Sequence, residues 1–180
     1  MNRRLAQGFD GEVTPVSHEP VVAVVALGAN LGDRAATLSA AVDALRSLPL
    51  VDEVRAATPV ESVAVKPGGP DAGAPAYLNS VALVTTRLAP TVLLEYLHAI
   101  EARHGRERRE RWGDRTLDLD LIAYGDVSSA TPTLILPHPR AAERDFVLAP
   151  WVSLDPDAVL PGAGRVDALL AALRESEEAP

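Results

Sequence analysis

Apolar residues recur along the chain with two periods. Residues 21–27 form a continuous, β-branched-rich run, the pattern of a strand buried on both faces. Gly28-Ala29-Asn30-Leu31-Gly32-Asp33 is expected to break that strand, and Asp33 is placed to cap the helix that follows. In that helix Leu38, Val42 and Leu45 return at helical spacing until Pro49 stops it. A second strand region spans 51–63, interrupted by Pro59. Residues 66–76 hold three prolines and three glycines, which predicts a surface loop long enough to act as a lid. Residues 78–86 read as a strand. Pro90 then opens a helix to about His104, with Leu93, Leu94, Leu97 and Ile100 inward. A strand is predicted over 117–124, a short one over 134–136 and a terminal helix over 166–174.

The order β-α-β-β-α-β predicts an α+β fold, a ferredoxin-like βαββαβ sandwich with additional C-terminal strand and helix elements. Residues 1–20 keep no period and read as a mobile N-terminal arm, which leaves 21–175 as a single domain.

Composition narrows the function classes. The 180-residue chain carries 17 basic and 25 acidic residues, a net charge of −8, which argues against nucleic acid or an acidic membrane as partner. The absence of Cys excludes disulfides, thiolate nucleophiles and Cys-based metal sites. No apolar run approaches the ~20 residues of a membrane span, and no signal peptide is read, so a cytoplasmic domain is expected. Lys66 is the one lysine and Pro67 follows it, so there is no P-loop. Phosphate chemistry here must rest on arginines, backbone N–H groups and carboxylates.

The sharpest local signal is Leu117-Asp118-Leu119-Asp120-Leu121. On a strand the three leucines share one face and the two aspartates the other. Two like charges this close repel. The pattern fits either a solvated strand face or a paired-carboxylate site for a hard cation such as Mg²⁺. Upstream, Arg103, Arg106, Arg108, Arg109, Arg111 and Arg115 fall within thirteen residues. A charge run is commonly a solvated linker, yet beside a carboxylate pair it also suits a polyphosphate clamp. Tyr77 and Asn79 share a strand face, as a stacking and hydrogen-bonding pair for a flat ligand would, or as a rim aromatic and a turn residue would. His138, Arg140, Arg144 and Phe146 follow the short strand that ends at 136.

Taken in order, these segments resemble the 6-hydroxymethyl-7,8-dihydropterin pyrophosphokinase family. Arg111-Trp112-Gly113-Asp114-Arg115-Thr116-Leu117-Asp118-Leu119-Asp120 is similar to its signature, with Asp114 where the family has Pro. Further matches are 27–33, Tyr77-Leu78-Asn79, Ile100-Glu101 with Gly105-Arg106, and Leu136-Pro137-His138-Pro139-Arg140 with Arg144 and Phe146. The resemblance implies a transferase moving pyrophosphate from ATP to the pterin's hydroxymethyl group and releasing AMP. It assigns two Mg²⁺ to Asp118 and Asp120, and bracing of the transferring group to Arg106 and Arg115. It assigns nucleotide contacts to His98, Arg108, Arg111, Trp112, Leu121, His138 and Arg144. It assigns the pterin to Val65, Tyr77, Asn79, Trp112 and Phe146. The partners implied are these small molecules alone, acting on a monomer. A non-catalytic binding module would be expected to have lost an Asp or an Arg of this set, and a metal nuclease would want a broad basic surface.

Overall fold

The computed structural model describes residues 19–66, 69–71, 75–104 and 116–178, with backbone alone at 64–66, 69–71 and 177–178. In chain order its elements are β1 (Val21–Ala29), α1 (Arg34–Arg46), β2 (Val51–Ala56), β3 (Val60–Ser62), β4 (Ala64–Lys66), β5 (Gly69–Asp71), β6 (Tyr77–Thr86), α2 (Pro90–Arg103), β7 (Asp118–Tyr124), β8 (Ser129–Thr131) and β9 (Leu134–Leu136). There follow a 3₁₀ turn (Ala141–Glu143), α3 (Asp145–Leu154), β10 (Val159–Leu160), β11 (Gly164–Arg165) and α4 (Val166–Glu178).

The central sheet is antiparallel with strand order β2-β6-β1-β7, and β3 pairs the start of β6 beyond the end of β2. Helices cover both of its faces. On one face Val25, Leu27, Val84, Leu119 and Leu121 pack with Leu38 and Leu45 of α1 and Leu93, Leu97 and Ile100 of α2. On the other, Val24, Val81, Leu83 and Ile122 pack with Val147, Leu148 and Trp151 of α3 and with Val166 and Leu170 of α4. Burial on both sides is why β1 and β6 read as apolar runs rather than alternating patterns. A register shift between β1 and β7 at Val24/Val25 places Ile122 and Ala123 together on the α3 face and returns Tyr124 to the other.

Several boundaries differ from the sequence expectation. Gly28 does not break β1, because pairing with β6 continues through Gly28↔Asn79 and Ala29↔Leu78. The turn comes at Gly32, whose φ of 66° suits glycine. Asp33 then caps α1, its Oδ1 accepting from Ala36 N–H at 3.0 Å. Residues 66–76 are not a plain loop: β4 and β5 form a small hairpin in the segment leading to β6. The C-terminal helix continues four residues beyond Arg174, to Glu178. The α3 helix was not anticipated, because Val147, Leu148, Pro150 and Trp151 are all buried and leave little amphipathic contrast. Residues 1–18 of the expected arm lie outside the described residues, and Glu19 and Pro20 are exposed. Among the described residues no helix is long and apolar enough to cross a membrane.

Candidate active site

Strand register gathers the polar residues at one end of the α3 face. Gly28 lies opposite Asn79 of β6 on one side and opposite Asp118 of β7 on the other. Adjacent strands stand ~4.8 Å apart, so Asn79 and Asp118 face each other across ~10 Å of floor with no side chain. One pleat inward, Ala26 separates Val81 from Asp120. A Cβ on Gly28 would meet Asn79 Oδ1 at 3.2 Å and Tyr77 Cδ1 at 3.8 Å. Glycine therefore keeps this floor low where two candidate residues lean over it. Asn79 is buried, and its Nδ2 donates to Ser62 Oγ of β3 at 2.7 Å, which holds the amide plane.

Asp118 and Asp120 project from this same face, Asp118 Oδ1 shut off from solvent. The repulsion expected between the aspartates is offset at Asp120, where Arg144 Nη1 donates to Oδ2 at 3.0 Å in a partly buried pair. Arg144 stands at the N-cap of α3, and its guanidinium lies 5.8 Å from the Phe146 ring centroid. His138 is anchored by its own N–H donating to Ile122 O at 2.8 Å. Its Nδ1 accepts from Arg140 N–H at 3.1 Å, so the neutral ring carries its proton on Nε2. Burial pushes the His138 pKa down; the carboxylates of Asp120 and Asp118 pull it up, while Arg144 and Arg140 press it lower.

Sequence reasoning gave no role to Glu101. It is 1% exposed, and its Oε1 accepts from Leu119 N–H at 2.8 Å. That amide sits between the two aspartates on the outer edge of β7, so the carboxylate stands in for a neighbouring strand. The signal was present: Leu93, Leu97 and Glu101 recur every four residues on the buried face of α2. Gly28 was expected at a strand-to-helix turn, where its backbone could equally cradle phosphate; its place under Asn79 needs the register.

The structure thus brings together Tyr77, Asn79, Asp118, Asp120, His138, Arg144 and Phe146. Two predicted residues point elsewhere. The Leu121 side chain is buried in the core beneath α1 and α2, because Leu119 and Leu121, ahead of the register shift, face that way, so only its backbone is left to meet a nucleotide. His98 stands on the exposed side of α2, which packs on the sheet's other face. Val65 lies on β4, described by its backbone alone. Arg106, Arg108, Arg111, Trp112 and Arg115 lie outside the described residues. Among the described residues no group of three His, Asp or Glu side chains could hold a metal by itself.

The chain resembles known proteins in sequence and in fold. The family model described as 7,8-dihydro-6-hydroxymethylpterin-pyrophosphokinase (HPPK) matches residues 24–156. The chain is 43% identical over 148 residues to the 2-amino-4-hydroxy-6-hydroxymethyldihydropteridine pyrophosphokinase of Pseudomonas aeruginosa, covering 82% of this chain and 89% of that one. It is 40% identical over 143 residues to the like-named enzyme of Synechocystis, covering 79% and 71%. Among solved structures, a Plasmodium falciparum HPPK-DHPS chain superposes with a TM-score of 0.66 at 13% identity. That match covers 91% of this chain but 47% of the longer one, and it bears on the fold alone.

Proposed function

The chain belongs to the 7,8-dihydro-6-hydroxymethylpterin-pyrophosphokinase family, and from that premise we propose how its sheet face carries out the family's reaction. The protein transfers pyrophosphate from ATP to the hydroxymethyl group of 6-hydroxymethyl-7,8-dihydropterin, releasing AMP, a step of folate biosynthesis. The hydroxymethyl oxygen forms a bond to the β-phosphorus and loses its proton to solvent. The bond from that phosphorus to the α,β-bridging oxygen breaks, and AMP leaves with the bridging oxygen.

The observation that carries the assignment is the row Asn79–Gly28–Asp118, in which glycine keeps the floor low beneath Asn79 and Tyr77 beside a carboxylate pair. On that floor Asn79 reads the pterin edge, Tyr77 and Phe146 stack on its faces, and backbone at Val65 completes the pocket, with Trp112 over it. Asp118 and Asp120 fit two Mg²⁺. They are hard oxygen donors on one strand face, and with no third acidic or imidazole ligand among the described residues the site suits an ion that keeps water and phosphate oxygens. When bound, Mg²⁺ neutralises the triphosphate and makes its β-phosphorus more electrophilic.

The chain's own groups do the rest. His138 offers Nε2–H to a phosphate oxygen without adding charge at neutral pH. Arg144, held by Asp120 and stacked near Phe146, presents the remaining edge of its fork to the same phosphates. Arg106 and Arg115 brace the transferring group, Arg108 and Arg111 add phosphate contacts, and the Leu121 backbone meets the nucleotide. We extend the reading to a ferredoxin-like core, supported by the strand order, within a single domain at 21–175. The protein is taken to work in the cytoplasm as a monomer. Incubation with ATP, Mg²⁺ and the hydroxymethyl pterin should yield AMP and the pterin pyrophosphate in equal amounts, and chelation of Mg²⁺ should stop both. ADP as the product would overturn the reading.

A further inference from the structure

Arg34 occupies the first helical position of α1, where a cation opposes the helix dipole, and α1 has no acidic residue in its first turn. A local preference broken in this way points to a compensating role elsewhere. Arg34 Nη1 donates to Ala76 O at 2.7 Å and its Nη2 to Glu61 Oε1 at 2.8 Å. Ala76 immediately precedes Tyr77. Glu61 immediately precedes Ser62, the residue that accepts from Asn79. Pairing between β3 and β6 sets Glu61 opposite Leu78 and Ser62 opposite Tyr77. One guanidinium therefore ties the backbone before the stacking residue to the strand that holds the edge-reading amide.

β3 is three residues long and pairs β6 at the outer edge of the sheet, too short to fix its own position firmly. The Arg34 side chain is 31% exposed and that of Glu61 64%, so the ion pair adds little to global stability. Its fork spans two acceptors at once, which fixes geometry more than it adds energy. We propose that Arg34 is a positioning residue for the pterin, setting the spacing of Tyr77 and Asn79 without touching the ligand. The inference rests on the pterin reading of those two residues.

The test uses the full chain and two separate ligands: 6-hydroxymethyl-7,8-dihydropterin by calorimetry, and a non-hydrolysable ATP analogue with Mg²⁺. Arg34→Ala should weaken pterin binding about tenfold, short of the ~100-fold that a 1 Å misplacement can cost. Binding of the nucleotide analogue and the melting temperature should stay near wild type. Arg34→Lys, which keeps the charge but loses the fork, should fall between the two. Asn79→Ala is the control for the pocket. If Asn79→Ala loses pterin affinity while Arg34→Ala stays within about twofold of wild type, the positioning role is wrong and the pocket stands. If Asn79→Ala also keeps its affinity, the pterin reading itself fails. Equal loss of both ligands in Arg34→Ala, with a lowered melting temperature, would make the role merely structural and overturn the proposal.

Discussion

At the scale of single residues, His138 shows how neighbours set a side chain's task. With Nδ1 accepting a backbone N–H and burial lowering its pKa, the ring is a neutral donor rather than a cation. Because the folded value lies below the ~6.5 of an unfolded chain, the unfolded state takes up the proton first as pH falls. The stability tied to neutral His138 is thus complete above about pH 6.5 and is lost as pH falls through the folded pKa. An NMR titration of the ligand-free protein should give His138 a midpoint below 6.5, and Asp120→Asn should lower it further, since the Asp120 charge pulls it up. A midpoint at or above 6.5 would contradict the burial that sets it. Asp120 was legible from spacing alone, whereas its pairing with Arg144, 24 residues away, was not.

At the scale of elements, the doubly covered strands β1 and β6 and the segments that follow one period were readable, whereas the nearly all-apolar helix α3 was not. Leu38, Val42 and Leu45 mark α1, and the alternating leucines mark β7, because each element has one covered and one less covered face. In α3, by contrast, the residues around Pro150 are nearly all apolar, and a proline that withholds its N–H argues against a helix. Gly28 misled for the opposite reason: local propensity favours a turn there, but β7 pairs with β1 up to it and β6 keeps pairing past it. Glu101 belongs to this scale too, joining α2 to β7 at Leu119. Glu101→Leu leaves a buried amide without its acceptor and should destabilise the fold by ~1–3 kcal/mol in urea unfolding, with faster amide exchange at Leu119. Glu101→Gln keeps an acceptor oxygen and should lose less. Equal losses in the two variants would show that the hydrogen bond to Leu119 is not what matters.

At the scale of the whole molecule, the sheet divides labour between its ends. On the α3 face, Val81, Leu83 and Ile122 are sealed by α3 and α4, while Tyr77, Asn79, Asp118 and Asp120 gather toward the other end. The C-terminal elements thus both close the second core and bring His138, Arg144 and Phe146 to the carboxylates. Sequence showed the parts of this site as separate motifs; only strand register placed Gly28 between Asn79 and Asp118. The claim that this floor and carboxylate pair perform pyrophosphoryl transfer is tested most directly by AMP release with ATP, Mg²⁺ and the hydroxymethyl pterin, comparing wild type with Asp118→Asn and Asp120→Asn. The account predicts Mg²⁺-dependent AMP release by wild type and a fall of at least ~100-fold in kcat/KM for each variant with circular dichroism unchanged. Near-normal turnover by Asp120→Asn at saturating Mg²⁺ would contradict it.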